Sequence, residues 1–175
     1  LWETNGRPEH LRRSLTGSLQ RPRLDRIDLW QLHRFDPRVP AHEQFDALVQ
    51  FQREGLVRHI GLSEVSVPDI ERARQYFPIV SVQNRFNISD RTWEDVLKYC
   101  ETERLAFIPW FPLSQGHLDE HGPVARVAKR HHATVSPVAL ASLLRRAIAR
   151  LVIPGPSIAT HARETVRAAA LPSAV

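Results

Sequence analysis

Polar or aromatic residues follow several short apolar runs of this chain, at the points where buried strands would end. His33 could donate a hydrogen bond to a substrate oxygen or exchange a proton near neutral pH. Ser63, Gln83 and Asn84 could bind a carboxamide or a sugar hydroxyl. Trp110 could stack on a planar ring. Structural alternatives stay open for all of them: the histidine could bind a neighbouring loop, the short polar residues could cap helices, and the tryptophan could be a core residue.

The segment Pro154-Gly155-Pro156-Ser157 directly precedes a predicted helix. Backbone amides and the positive end of the helix dipole at such a place favour phosphate binding. An ordinary helix cap would need the same residue types, so the segment alone is ambiguous.

Potential metal ligands occur together in one polar loop before Gly122. Because nothing in this loop assures a helix, the residues are not expected to share a face, and we predict no metal site. The ligands in question are His117, Asp119, Glu120 and His121.

The candidate residues require a scaffold in which strands alternate with helices. Such alternation is typical of a parallel sheet with right-handed crossovers, whose strand ends gather at one rim. Strands are predicted at 26–32, 57–62, 79–82, 105–109 and 151–153. Helices are predicted near 8–21, 41–54, 66–76, 90–103, 123–132, 136–150 and 160–171.

The predicted fold class is α/β, as an incomplete (β/α)8 TIM barrel forming one domain over residues 1–175. The 175 residues are ample for a core but short of the roughly 250 of a closed barrel, and five strands fall short of eight. The chain has no methionine and opens on Leu1-Trp2. We therefore expect a fragment of a longer chain.

Composition narrows the class of protein. The net charge of +5 comes from arginines scattered among acidic residues, which indicates a solvated helical surface and no nucleic-acid partner. The single cysteine, Cys100, excludes an internal disulfide and fits a reducing compartment. No apolar run approaches the roughly 20 residues of a membrane span. We expect a cytoplasmic protein without a membrane partner.

Taken together, these segments resemble the aldo-keto reductase family. Residues 25–34, which end in His33-Arg34, resemble the fourth barrel strand with its active-site histidine, and Gly61-Leu62-Ser63 resembles the fifth strand end. Residues 81–84 and 108–116 resemble the sixth and seventh strand ends, and 153–157 with Glu164 the eighth. The resemblance extends over nearly the whole chain and implies strands 4 to 8 of a barrel, its C-terminal two-thirds.

The resemblance implies reduction of aldehydes or ketones by hydride transfer from NADPH, with NADH possible. His33 would belong to a tetrad whose aspartate, tyrosine and lysine come from three earlier βα units that the chain is expected to lack. Trp110 would stack on the nicotinamide. The remaining cofactor-binding residues implied are Ser63 and Gln83 at the carboxamide, Phe111, Pro112, Leu113, Gln115 and Gly116 over the pyrophosphate, and Gly155, Ser157 and Glu164 at the adenosine phosphate.

Departures from the family pattern bear on the cofactor. Glu64 stands where the family often has asparagine, Thr165 replaces a frequent asparagine, and Gly155 occupies a position that is lysine in some members.

The expected function is an NADP-dependent oxidoreductase acting on a small carbonyl substrate as part of a longer chain. The 175 residues alone are expected to be inactive, and a missing N-terminal segment or another chain would close the barrel. The alternatives are a non-catalytic nucleotide-binding regulatory subunit and an inactive truncated product.

Overall fold

The computed structural model describes residues 3–114, 118, 121–146, 151–155 and 158–171. The chain forms two compact units, Leu1–Val82 and Gln83–Val175. The sequence predicts one domain, and that organisation stays a prediction.

The first unit alternates helices with strands, as the sequence predicts. The strands occupy the order β1-β2-β3, and β1 pairs with β2 in parallel, with Trp30 opposite Ile60 and Leu32 opposite Leu62. The elements are α1 (Pro8–Gln20), β1 (Ile27–Leu32), α2 (Ala41–Arg53), β2 (Val57–Ser63), α3 (Val67–Arg74) and β3 (Ile79–Gln83).

Local sequence signals explain the helices of this unit. In α1 the buried Leu11, Leu15 and Leu19 recur every four residues and form one apolar stripe. Helix α3 begins with a capping box: the Ser66 hydroxyl accepts from the Asp69 amide, and the Asp69 carboxylate accepts from the Ser66 amide. The structure confirms both predicted helix starts.

The second unit contains α4 (Glu94–Glu103), β4 (Ala106–Phe107), α5 (Pro123–Arg130), α6 (Val135–Arg146) and α7 (Ala159–Arg167). Helix α4 begins later than the predicted residue 90. The Asp90 carboxylate accepts from the amide and hydroxyl of Thr92, and this local turn competes with helix formation.

Two strand predictions need correction. The predicted strand 105–109 shortens to β4, because Pro109 has no amide hydrogen to continue a ladder. The predicted strand 151–153 is wrong: residues 151–155 are not in a strand, and Leu151 and Ile153 are 58% and 42% exposed. An apolar run with no partner strand among the described residues cannot form a ladder.

None of the helices in the described ranges combines the length and the apolar character that a bilayer-spanning segment requires.

Candidate functional site

His33 follows β1 on the side of the sheet that faces away from α2. Trp30 packs edge-on against Phe51 of α2, with ring centroids 5.9 Å apart, so its side of β1 is covered by that helix. Strand alternation places Gln31 and His33 on the opposite side. His33 is exposed there. An exposed imidazole at a strand end can contact a small ligand.

The opposite side of the sheet, here called the polar face, carries Gln31, His33, Gly61, Ser63 and Ser81. The Gln31 amide donates to the Ser81 hydroxyl at 3.2 Å, across the position of Gly61. A Cβ on Gly61 would lie 2.3 Å from that hydroxyl and 2.9 Å from Cγ of Gln31. The glycine is therefore required for this contact, which the sequence reasoning missed because it joins three strands.

Arg34 joins the ends of β1 and β2. Its Nη1 donates to the backbone carbonyl of His33 at 3.0 Å and to Oγ of Ser63 at 3.3 Å. Its Nη2 lies 3.9 Å from Oε2 of Glu64. Ser63 is buried, whereas the two charged side chains are partly exposed. The predicted residues His33 and Ser63 are thus tied to one guanidinium, which the sequence reasoning did not single out.

The loop after β1 is held by a buried polar network around Asp36. Its carboxylate accepts hydrogen bonds from the side chain of Arg38 at 3.0 Å and from the Gly6 amide at 3.1 Å. The pKa of Asp36 lies below its usual range, chiefly because of the hydrogen bond from Arg38. The side-chain amide of Gln44 donates to the carbonyls of Asp36 and Val39 and accepts from the Asp36 amide. The network fixes the backbone that follows His33.

In the second unit, Asn84 and Trp110 are linked through their backbones. The Trp110 amide donates to the Asn84 carbonyl at 3.2 Å, and Arg85 and Trp110 form an isolated parallel bridge. Asn84 is buried and Trp110 is half-buried. Gln83, which ends β3, is also half-buried.

Arg85 and Asn87 hold the residue after Trp110. The Arg85 guanidinium lies 4.7 Å from the centroid of the Phe111 ring, and its Nε pairs with Asp90 at 2.9 Å. The buried Asn87 amide donates to the Phe111 carbonyl at 3.2 Å. Phe111 has a φ of 61°, a left-handed conformation that is costly for a bulky residue. These contacts fix it in that conformation.

A cleft of about 830 Å³ lies within the second unit. Its size is that of a small-molecule or cofactor pocket. It brings together residues that the sequence predicts at the pyrophosphate and at the adenosine phosphate of one dinucleotide, and it adds a lysine and a histidine that the sequence reasoning missed. The predicted residues in its walls are Phe111, Pro112, Leu113, Gly155 and Glu164, and the added ones are Lys129 and His161.

The remaining predicted residues fall elsewhere. Trp110 is not a wall residue of the cleft but contacts Phe111, with ring centroids 5.7 Å apart. Gln115, Gly116 and Ser157 lie outside the described residues, as do three of the four potential metal ligands. In the part of the chain that is described, no group of three metal-ligating side chains occurs.

The sequence matches the aldo/keto reductase family over residues 1–174. The chain belongs to this family. Among curated members, it is 47% identical to an uncharacterized oxidoreductase of Schizosaccharomyces pombe, across 97% of this chain and 56% of that protein. It is 34% identical to pyridoxine 4-dehydrogenase of Escherichia coli, across 92% and 58%. The chain thus spans a little over half the length of these relatives.

Solved aldo-keto reductases have the same fold over the matched region. A thermostable aldo-keto reductase in complex with the inhibitor epalrestat matches with a TM-score of 0.88 at 31% identity, over 95% of this chain and 62% of that one. An aldo/keto reductase of Klebsiella pneumoniae in complex with NADP and acetate matches with a TM-score of 0.80 at 26% identity, over 92% and 59%. The α/β class with a parallel sheet is therefore confirmed.

Proposed function

We propose that the protein is an NADP-dependent reductase that converts aldehydes or ketones to alcohols. One observation supports the proposal: the walls of one cleft include Phe111, Pro112 and Leu113 together with Gly155 and Glu164. These stretches are far apart in sequence and were assigned to one dinucleotide by resemblance alone. A neighbour of the same family was solved with NADP, which supports the choice of cofactor.

The cleft has the chemistry that a dinucleotide phosphate needs. Its walls are mostly apolar, Lys129 supplies a positive charge and His161 a hydrogen-bond donor. Gly155 has a φ of 59° and open space where a Cβ would stand, so a phosphate could approach its backbone. The bound cofactor would supply the hydride. Ser63 and Gln83 would hold its carboxamide, and Trp110 would stack on the nicotinamide.

His33 is the chain's own candidate for the chemical step. It would orient the substrate carbonyl and assist proton delivery to the oxygen. The family's aspartate, tyrosine and lysine have no assigned counterparts in residues 1–175, so we expect no turnover by these residues alone. Leu29, on the same side of β1 as His33, is 37% exposed, so this face of the sheet has room for further contacts beside the candidate histidine.

The test measures NADPH binding by fluorescence and turnover of aromatic aldehydes, using protein expressed from its full natural reading frame. We expect His33→Gln to lower kcat by about 100-fold or more and to leave the Kd for NADPH unchanged. His59→Gln is the matched control, because His59 is another exposed histidine of the sheet, opposite Leu29 near the start of β1.

Absence of saturable NADPH binding would overturn the proposal. Tight binding without turnover of any aldehyde would favour the regulatory alternative. Turnover by the purified 175-residue chain would contradict the expectation that it lacks the proton donor.

A further inference from the structure

We infer that Arg34 is a positioning residue that orients the hydroxyl of Ser63 toward the carboxamide of the nicotinamide ring. The inference rests on the proposed function and deepens it, because it explains how a chain with Glu64 beside Ser63 could still hold the carboxamide.

The hydrogen bonds of Arg34 constrain the orientation of the Ser63 hydroxyl. A guanidinium can only donate, so Oγ of Ser63 accepts in the 3.3 Å contact with Nη1. The second hydrogen of Nη1 is directed to the His33 carbonyl at 3.0 Å. Because a lone pair of Oγ faces Nη1 in this bond, the single proton of the Ser63 hydroxyl is directed away from the guanidinium, toward a different acceptor. A carboxamide oxygen is such an acceptor.

Glu64 contributes through its charge. Its carboxylate lies 3.9 Å from Nη2 of Arg34, and its φ of 53° turns the backbone sharply after β2. An asparagine, frequent here in the family, would offer no negative charge to the guanidinium. We therefore assign Glu64 to the support of Arg34, and the contact with the carboxamide to Ser63.

The position of Arg34 favours an indirect role. Its side chain is 31% exposed and packs at the ends of β1 and β2, bound to a backbone carbonyl as well as to Ser63. Removing it would leave the Ser63 hydroxyl free to rotate. The loss would then be confined to ligands that carry a nicotinamide carboxamide.

The experiment compares two ligands by titration: NADPH, and adenosine 2′,5′-bisphosphate, which has no nicotinamide. The protein is expressed from its full natural reading frame. We expect Arg34→Ala to weaken NADPH binding about fivefold to tenfold, the size of one hydrogen bond, and to leave the bisphosphate affinity unchanged. Arg58→Ala is the control, since Arg58 is an exposed arginine of β2 that pairs with Asp28 at 3.8 Å.

A double variant tests whether Arg34 acts through Ser63. In the Ser63→Ala background, Arg34→Ala should weaken NADPH binding no further. Equal loss for both ligands, no loss for either, or full additivity with Ser63→Ala would overturn the inference while the proposed cofactor site stands. Failure of the unsubstituted protein to bind either ligand would instead overturn the proposed function, and the inference with it.

Discussion

Replacing Gly61 with alanine should disrupt the polar face of the first unit. The new Cβ would lie 2.3 Å from Oγ of Ser81 and 2.9 Å from Cγ of Gln31, well inside normal contact distance. The serine has to rotate away, which breaks its 3.2 Å bond with Gln31. Overpacking costs about 1–3 kcal/mol and the lost hydrogen bond about 1 kcal/mol, so the free energy of unfolding should fall by roughly 2–4 kcal/mol.

The prediction is checked by urea unfolding, followed by far-ultraviolet circular dichroism, in a double-mutant cycle. Ser81→Ala removes the oxygen that the new Cβ would meet and should cost about 1 kcal/mol by itself. Because the main clash is then gone, the double variant should cost at least about 1 kcal/mol less than the sum of the single variants. Gly17→Ala, in α1, is the control.

The control should behave in the opposite way. A Cβ on Gly17 meets only Nη1 of Arg21, at 3.4 Å, and the glycine lies inside a helix. Alanine there should stabilise the protein by up to about 1 kcal/mol. The reasoning is refuted if Gly61→Ala costs less than about 0.5 kcal/mol, or if Gly61→Ala and Ser81→Ala are additive.

Three other measurements follow from buried or paired groups. Asn87→Ala should lower the free energy of unfolding by roughly 2–3 kcal/mol, because the buried side-chain amide makes three hydrogen bonds, including one to Phe111. A loss below about 1 kcal/mol in urea unfolding would contradict this expectation. The Arg12 and Gln50 hydrogen bonds lower the pKa of Glu54 to about 2. The contribution of Glu54 to the free energy of unfolding is therefore complete above about pH 4.5 and is lost as the pH falls toward 2. In urea unfolding measured at several pH values, Glu54→Gln should reduce this loss of stability at low pH. Burial raises the pKa of the Cys100 thiol to about 12. Its reaction with a disulfide reagent at pH 8 should therefore be at least about a thousandfold slower in the folded protein than in urea. Equal rates would show that the thiol is accessible.

The sequence predicts those parts of the fold that depend on local patterns. The predicted starts of α1 near residue 8 and of α3 near residue 66 each depend on residues close together in sequence, and both are confirmed. The ends of the first three strands at His33, Ser63 and Gln83 are also confirmed to within a residue. These signals need no information from distant parts of the chain.

The remaining features depend on partners far away in sequence. The run Leu151–Ile153 has the composition of a strand, but composition cannot show whether a neighbouring strand is present. The contacts of Arg34 with Ser63 depend on the register of β1 against β2. The sequence does not single out Lys129 and His161, because only the folding of the second unit brings them to one cleft.

The Asp36 network couples the segment before α1 to the loop after β1. The Gly6 amide, the Thr4 carbonyl and the side chains of Arg38 and Gln44 all depend on the same loop conformation. A Cβ on Gly6 would lie 2.8 Å from Cβ of Asp36, so the two segments are in direct contact. We therefore expect them to open and close as one cooperative unit. In native-state hydrogen exchange, the Gly6 amide should share the protection of the loop beside the candidate histidine.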